Sequence, residues 1–188
     1  TDVAETVPFV VEFREDVDLT PAGLPGQVAD FVNVGIVAAQ HGSHVAGIAA
    51  GHALFGGNMD GAAPGAKLVS SRACLFSGGC TNVALFEGMA DMIINRGVDV
   101  VNMSIGGLPA LNDGVSARTT LYNNLIKDFG VQIVISAGNS GPGVNTHGDP
   151  AAAADVIAAG ASVSKDTWLA NYGSEVTANL NMFNFSSR

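Results

Sequence analysis

The stretch His41-Gly42-Ser43-His44-Val45-Ala46-Gly47-Ile48-Ala49-Ala50-Gly51 governs the interpretation of the whole chain. Its small residues recur at near-helical spacing, which lets a helix pack closely against its neighbours. His41 falls in the first turn of that helix and faces whatever cleft the helix N-terminus borders. Because the ordinary pKa of a histidine suits proton transfer near neutrality, His41 is a candidate general base. The alternative is a Gly/Ala-rich buried helix that carries a hydrogen-bonded surface histidine.

The composition favours a single domain with a sizeable core. The chain has 188 residues, of which 13% are charged and 47% are hydrophobic, a balance opposite to that of disordered chains. The net charge is -9 with 8 lysines and arginines, so the chain lacks the basic face that nucleic acids require. It contains no run of 18 apolar residues, so we expect no membrane partner.

The two cysteines, Cys74 and Cys80, flank a Gly78-Gly79 pair that allows the chain to fold back. A bridge between them requires Cα atoms within about 7 Å of each other. A zinc site at the two cysteines would require two further Cys or His ligands nearby. A metal site at His44, three residues after His41, would require an acidic or Cys ligand at suitable spacing, and the sequence has none there. We therefore expect no metal and no cofactor, while a disulfide and two buried free thiols both remain open for the cysteines.

The N-terminal forty residues predict irregular β structure. Apolar runs at residues 8–13 and 31–37 lie on either side of turn-forming residues 20–26.

Strands and helices alternate from residue 67 onward. Thr81 is a suitable N-cap for a helix that closes at Gly97, and a second apolar helical face runs from Tyr122 to Phe129 before Gly130. Apolar and β-branched runs predict strands at 67–73, 98–104, 131–136 and 156–159. Short connections between them favour a parallel sheet. The expected fold class is α/β, with a doubly wound, mostly parallel sheet and helices on both faces.

Two predicted strand ends carry residues suited to a cleft. Parallel α/β sheets bind ligands beyond the carboxyl ends of their strands, where the sequence places residues 104–107 and 136–139. A strand end without side-chain bulk lets a peptide pair with its backbone, and the carboxamide of Asn139 is a neutral donor suited to a developing oxyanion. Each stretch taken alone is more typical of an ordinary glycine turn.

Together these motifs resemble the subtilisin-like serine peptidases, or subtilases. Residues 41–47 resemble the family's motif His-Gly-Thr-His-Val-Ala-Gly, with serine in place of threonine. The segments that resemble later family motifs are residues 63–66, the substrate-binding strand at 102–107, the oxyanion segment at 136–139 and the run before the nucleophile at 185–188. Residues 50–52, 139–142 and 186–188 are similar to the tripeptidyl-peptidase-II-like branch.

The resemblance implies a serine endopeptidase or tripeptidyl-peptidase that acts through an acyl-enzyme. It implies that His41 is the general base and acid, and that Asn139 donates a hydrogen bond to the oxyanion. It also implies a peptide-binding cleft lined by Ser104, Ile105, Gly106, Gly107, Ser136, Ala137 and Gly138. The low charge content and the candidate disulfide favour a secreted protein, with an intracellular location as the alternative.

Two departures from the family pattern concern the other members of the catalytic triad. No aspartate before His41 lies in an Asp-Thr/Ser-Gly motif, and the Gly-Thr-Ser of the nucleophile does not occur. We therefore expect residues 35–188 to be the central part of a catalytic domain that is incomplete at both ends. Residues 1–34 would then be the end of an insert like that of the tripeptidyl-peptidase-II-like branch.

A triad acts as a unit, so we expect the chain to be inactive alone. Its partners would be the remainder of its own catalytic domain and a peptide or protein substrate. The alternative is a pseudo-peptidase or peptide-binding module. The two are distinguished by whether the gene encodes both missing motifs.

Overall fold

The computed structural model describes residues 9–20, 23–36, 40–74, 79–108, 111 and 113–188. The chain divides into two compact units, Thr1–Ala66 and Lys67–Arg188. The boundary expected between residues 34 and 35 rests on family resemblance rather than on compactness, and it stays a prediction. Among the described residues, no helix combines the length and apolar character needed to cross a bilayer.

The first unit contains an antiparallel ribbon and a helix. Strands β1 (Phe9–Asp18) and β2 (Val28–Ile36) pair antiparallel, with an irregularity in the register between Arg14 and Val17. This ribbon confirms the predicted N-terminal β structure. Helix α1 (Gln40–Ala50) begins one residue before His41, and a single turn, α2 (Leu54–Gly57), follows it.

The small residues of α1 allow a second backbone segment to approach the end of the helix. The amides of Gly61, Ala62 and Ala63 donate to the carbonyls of Gly51, Ile48 and Ala49 at 2.7, 2.9 and 2.8 Å. A Cβ on Gly61 would lie 2.6 Å from the nitrogen of Gly51 and 2.7 Å from the carbonyl oxygen of Gly47. This contact satisfies carbonyls that a helix end leaves unpaired. No residue of α1 is buried in the described chain, and the alternative of a structural helix with a surface histidine stays a prediction.

The second unit contains the predicted parallel sheet. Strands β3 (Val100–Met103), β4 (Gln132–Ser136) and β5 (Ile157–Ala159) pair in the order β3-β4-β5, and both pairings are parallel. Strands β6 (Ser162–Ser164) and β7 (Leu180–Met182) form a separate antiparallel pair. The strand predicted at residues 67–73 is wrong, because the structure assigns no strand there.

Two helices of the second unit follow the predicted start and stop signals, and a third, at residues 165–172, was not predicted. The Thr81 side chain accepts a hydrogen bond from the amide of Ala84 and caps α3 (Asn82–Ala90), which continues into a π-helical turn at Asp91–Asn95. Helix α4 (Ala117–Phe129) connects β3 to β4 and ends at Gly130, whose φ is 68°. Helix α5 (Lys165–Tyr172) lies between β6 and β7 in the chain.

The core lies where these helices pack against one face of the sheet. Alternate residues of β3 and β4 are buried, as the two-residue period of a strand requires. Tyr122 from α4 is fully buried among them. The main buried side chains are Leu85, Met89, Ile93, Val101, Met103, Tyr122, Leu125, Ile133 and Ile135. This packing anchors the carboxyl ends of β3 and β4, which carry the candidate site.

Candidate active site

The parallel pairing of β3 and β4 brings the two predicted cleft segments to one edge of the sheet. Met103 lies opposite Ile135 in the register, so residues 104–107 and 136–139 leave neighbouring strands at the same end. All seven predicted substrate-binding residues therefore lie at this edge, in the second unit. Their role in binding a peptide stays a prediction.

A third segment, which the sequence analysis missed, supports residues 104–107. The amide of Gly107 donates to the carbonyl of Asp149 at 3.3 Å, and the amide of Asp149 donates back at 2.8 Å. A Cβ on Gly106 would lie 3.4 Å from the same Asp149 carbonyl. The signal in the sequence is Gly148-Asp149-Pro150, a turn-forming triplet that carries no sign of its distant partner.

The side chain of Asp149 joins this segment to the start of α4. Its Oδ1 accepts a hydrogen bond from the Ser116 hydroxyl at 3.1 Å, and its Oδ2 lies 3.7 Å from an Arg118 nitrogen. Arg118 also donates to the Asn82 side chain at 2.7 Å. Ser116 is the N-cap of α4, so a mostly buried polar cluster couples the cleft wall to the helix that packs on the core.

Tyr122 lies beside this polar cluster. Its burial raises its pKa to about 12, the charge of Asp149 acts in the same direction, and the charge of Arg118 opposes the shift. The Tyr122 hydroxyl donates to the sulfur of Met103 at 3.7 Å. The neutral phenol is therefore the form that the folded protein favours.

The candidate oxyanion segment begins where β4 leaves the sheet. The Ala137 amide donates to the Ala159 carbonyl at 2.9 Å, and the Ala137 carbonyl accepts from Gly148 at 2.8 Å. Gly138 then adopts a φ of 114°, a conformation that side chains other than glycine rarely adopt. Asn139 follows with an exposed side chain, as a donor to a bound substrate requires.

His41 belongs to the first unit, where it lies exposed in the first turn of α1. This is the position that the helical pattern predicted. The structure therefore assembles the predicted residues in two groups, one of seven cleft residues with Asn139 and one of His41. The role of His41 as general base stays a prediction.

The remaining candidates concern cysteines and metals. A disulfide joins Cys74 and Cys80 in the structure, while Gly78 of the predicted turn lies outside the described residues. The part of the chain that the structure describes contains no cluster of three or more His, Cys, Asp and Glu side chains suited to a metal ion.

Comparison with known proteins defines the class to which this fold and site belong. Residues 37–188 match the model of the subtilase family, Peptidase_S8, and the chain is a member of that family. It is 36% identical to tripeptidyl-peptidase 2 of Caenorhabditis elegans over 154 residues, which cover 79% of this chain and 11% of that relative. It is 32% identical to minor extracellular protease Vpr of Bacillus subtilis (strain 168) over 167 residues, which cover 88% of this chain and 18% of that relative.

The fold comparison agrees with the sequence comparison. The crystal structure of Tripeptidyl Peptidase 2 (TPP II) matches with a TM-score of 0.61 and 31% identity, covering 84% of this chain and 13% of that one. The predicted subtilisin-like α/β fold is thus confirmed, and so is the similarity to tripeptidyl-peptidase II. The chain spans less than a fifth of the length of these relatives.

Proposed function

We propose that the protein to which this chain belongs is a serine peptidase that hydrolyses peptide bonds through an acyl-enzyme. The observation that carries the proposal is the juxtaposition of residues 104–107 and 136–139 at one end of a parallel sheet. An extended peptide aligned with residues 104–107 would present its scissile carbonyl near Asn139. Membership of a peptidase family gives this arrangement its chemical interpretation.

In this proposal His41 and Asn139 have separate roles. His41 takes the proton from the attacking serine hydroxyl and later gives it to the leaving amine. The carboxamide of Asn139 donates a hydrogen bond to the oxyanion of the tetrahedral intermediate. Loss of such a donor costs on the order of 100- to 1000-fold in kcat, a magnitude that comes from a subtilisin itself.

We further propose that the chain is inactive by itself. Its sequence contains neither Asp-Thr/Ser-Gly before His41 nor Gly-Thr-Ser. Because the members of a triad act as a unit, His41 without an aspartate and a serine partner forfeits most of the catalytic rate. The rest of the catalytic domain and a peptide or protein substrate are the proposed partners. The disulfide between Cys74 and Cys80 supports an extracellular location.

Hydrolysis of fluorogenic peptides tests the proposal. We expect no hydrolysis by the 188-residue chain and measurable hydrolysis by the full-length protein. His41→Ala should abolish hydrolysis by the full-length protein. His52→Ala is the matched control, because His52 is an exposed histidine of the same unit that lies 3.6 Å from Asp60.

Two outcomes would contradict the proposal. Equal loss of activity in the His41→Ala and His52→Ala variants would remove the specific role of His41. A folded but inactive full-length protein that still binds peptides would favour the peptide-binding alternative.

A further inference from the structure

A buried serine near the end of the chain contacts the candidate oxyanion segment. Ser187 has 3% of its surface exposed, although serine is usually a surface residue. In the sequence it belongs to a run, residues 185–188, that resembles the segment before the family's nucleophile. Its hydrogen bonds give it a more specific position.

Ser187 binds the backbone on both sides of Asn139. Its amide donates to the carbonyl of Gly138 at 3.0 Å. Its hydroxyl oxygen accepts a hydrogen bond from the amide of Ser140, also at 3.0 Å. One buried residue therefore holds both neighbours of Asn139, whose own side chain is exposed.

The loop also closes tightly around this serine. A Cβ on Gly138 would lie 2.8 Å from the Ser187 hydroxyl oxygen, closer than real Cβ atoms come to other atoms. Two further backbone hydrogen bonds connect the chain after Asn139 to the end segment. The Gly141 amide donates to the Phe185 carbonyl at 2.9 Å, and the Thr146 amide donates to the Arg188 carbonyl at 3.0 Å. The backbone around Asn139 is thus held by hydrogen bonds with Phe185, Ser187 and Arg188.

We propose that Ser187 is a positioning residue of the oxyanion hole. It touches no substrate and acts through Asn139, by fixing the peptide groups on either side of that residue. This inference rests on the proposed role of Asn139. Preorganised donors stabilise an oxyanion because they need no reorganisation during the reaction, so a loosened Asn139 should be a weaker donor.

The neighbouring residue Ser186 provides a matched control. It is also buried, with none of its surface exposed, and its hydroxyl accepts a hydrogen bond from the Ala161 amide at 3.0 Å. Its own amide donates to Phe183 at 3.0 Å. Replacing either serine by alanine removes one acceptor from a backbone amide, but only Ser187 accepts from the residue after Asn139.

A double-mutant cycle in the full-length protein tests the proposal. Ser187→Ala should lower kcat about tenfold and leave KM within about twofold, since the lost hydrogen bond acts on the transition state. In an Asn139→Ala background the same change should lower kcat less than about twofold, because the donor it positions is already gone. Ser186→Ala should leave kcat within about twofold in both backgrounds. An unchanged kcat in Ser187→Ala, or an equal loss in both backgrounds, would overturn the proposal.

A second measurement is independent of catalysis and uses the 188-residue chain. In Ser187→Ala, exchange of the Ser140 amide should accelerate on the order of tenfold and the NMR signals of the Asn139 carboxamide should shift. Ser186→Ala should change neither. An inactive full-length wild type would refute the peptidase proposal alone. Unchanged Ser140 exchange and Asn139 signals in Ser187→Ala would refute the positioning role.

Discussion

The two units of the chain are stabilised in different ways. Every buried apolar side chain among the described residues lies in Lys67–Arg188, where helices pack on a parallel sheet. In the described part of Thr1–Ala66 no side chain is buried, and Phe13 on the ribbon is 74% exposed. Hydrogen bonds order this unit instead, between backbone groups, as from residues 61–63 to the end of α1, and from amides to carboxylates, as from Asp16 to Asp30.

This difference separates the two proposed catalytic groups. Asn139 follows a strand that is anchored in the core, and its loop is tied to a buried segment. His41 lies on a helix whose other end accepts backbone hydrogen bonds from residues 61–63. Substitutions in the core should therefore destabilise the oxyanion group strongly, whereas the histidine helix should respond to backbone changes within its own unit.

The largest effect is expected from a core truncation. Ile133 in β4 is fully buried, so Ile133→Ala should lower the free energy of unfolding of Lys67–Arg188 by about 2–5 kcal/mol. Val32→Ala in the ribbon, where the side chain is 60% exposed, should cost less than about 0.5 kcal/mol. Denaturant unfolding checks Ile133→Ala by the fluorescence of the single tryptophan, Trp168, in the second unit, and amide exchange across the ribbon checks Val32→Ala in the first. Equal losses in the two variants would refute the contrast between the units.

A smaller effect is expected from a glycine beside α1. Gly61→Ala would place a Cβ against the backbone of Gly51 and Gly47, so the contact must open. We expect a loss of about 1–3 kcal/mol of local stability, measured as faster amide exchange at residues 61–63. Gly42 lies within α1, and a Cβ added there would have no atom within 4 Å. Gly42→Ala should therefore stabilise α1 by up to about 1 kcal/mol. Slower exchange in Gly61→Ala would show that the close approach does not support the helix.

The smallest effect concerns Tyr122 and alkaline pH. Its pKa is raised from about 10 to about 12, so its contribution to stability is complete below pH 10 and is lost as pH rises through 12. Between pH 9 and 11 the wild type should lose about 1 kcal/mol more unfolding free energy than Tyr122→Phe. Parallel pH profiles of the two proteins in denaturant unfolding would contradict this, and Tyr172→Phe, at an exposed tyrosine, is the control.

Local signals predicted most of the fold. Thr81 and Gly130 marked helix ends because capping is decided by the residue itself and its nearest neighbours. The strand predicted at 67–73 was wrong because a strand exists only through pairing with another backbone. Leu68 and Val69 have suitable side chains, yet they are 59% and 47% exposed and lie in no strand.

Only the part of the candidate site that follows from the strand order of the sheet could be predicted from the sequence. Parallel pairing places residues 104–107 beside residues 136–139, whatever the side chains are. Asp149 and Ser187 were missed because their contacts come from distant parts of the chain. Ser187 and Ser140 form a hydrogen bond although they are 47 residues apart, and no periodicity or spacing in the sequence indicates this contact.

The contact between Ser187 and the loop around Asn139 also has a consequence for protein synthesis. Strand β4 and Asn139 are synthesised before Ser187, since the chain grows from its N-terminus. Until that serine emerges, the amide of Ser140 has water as its acceptor, and the loop lacks the residue that closes it. A nascent chain that has completed β4 is therefore still immature at Asn139, and the loop acquires its final shape only after Ser187 has followed.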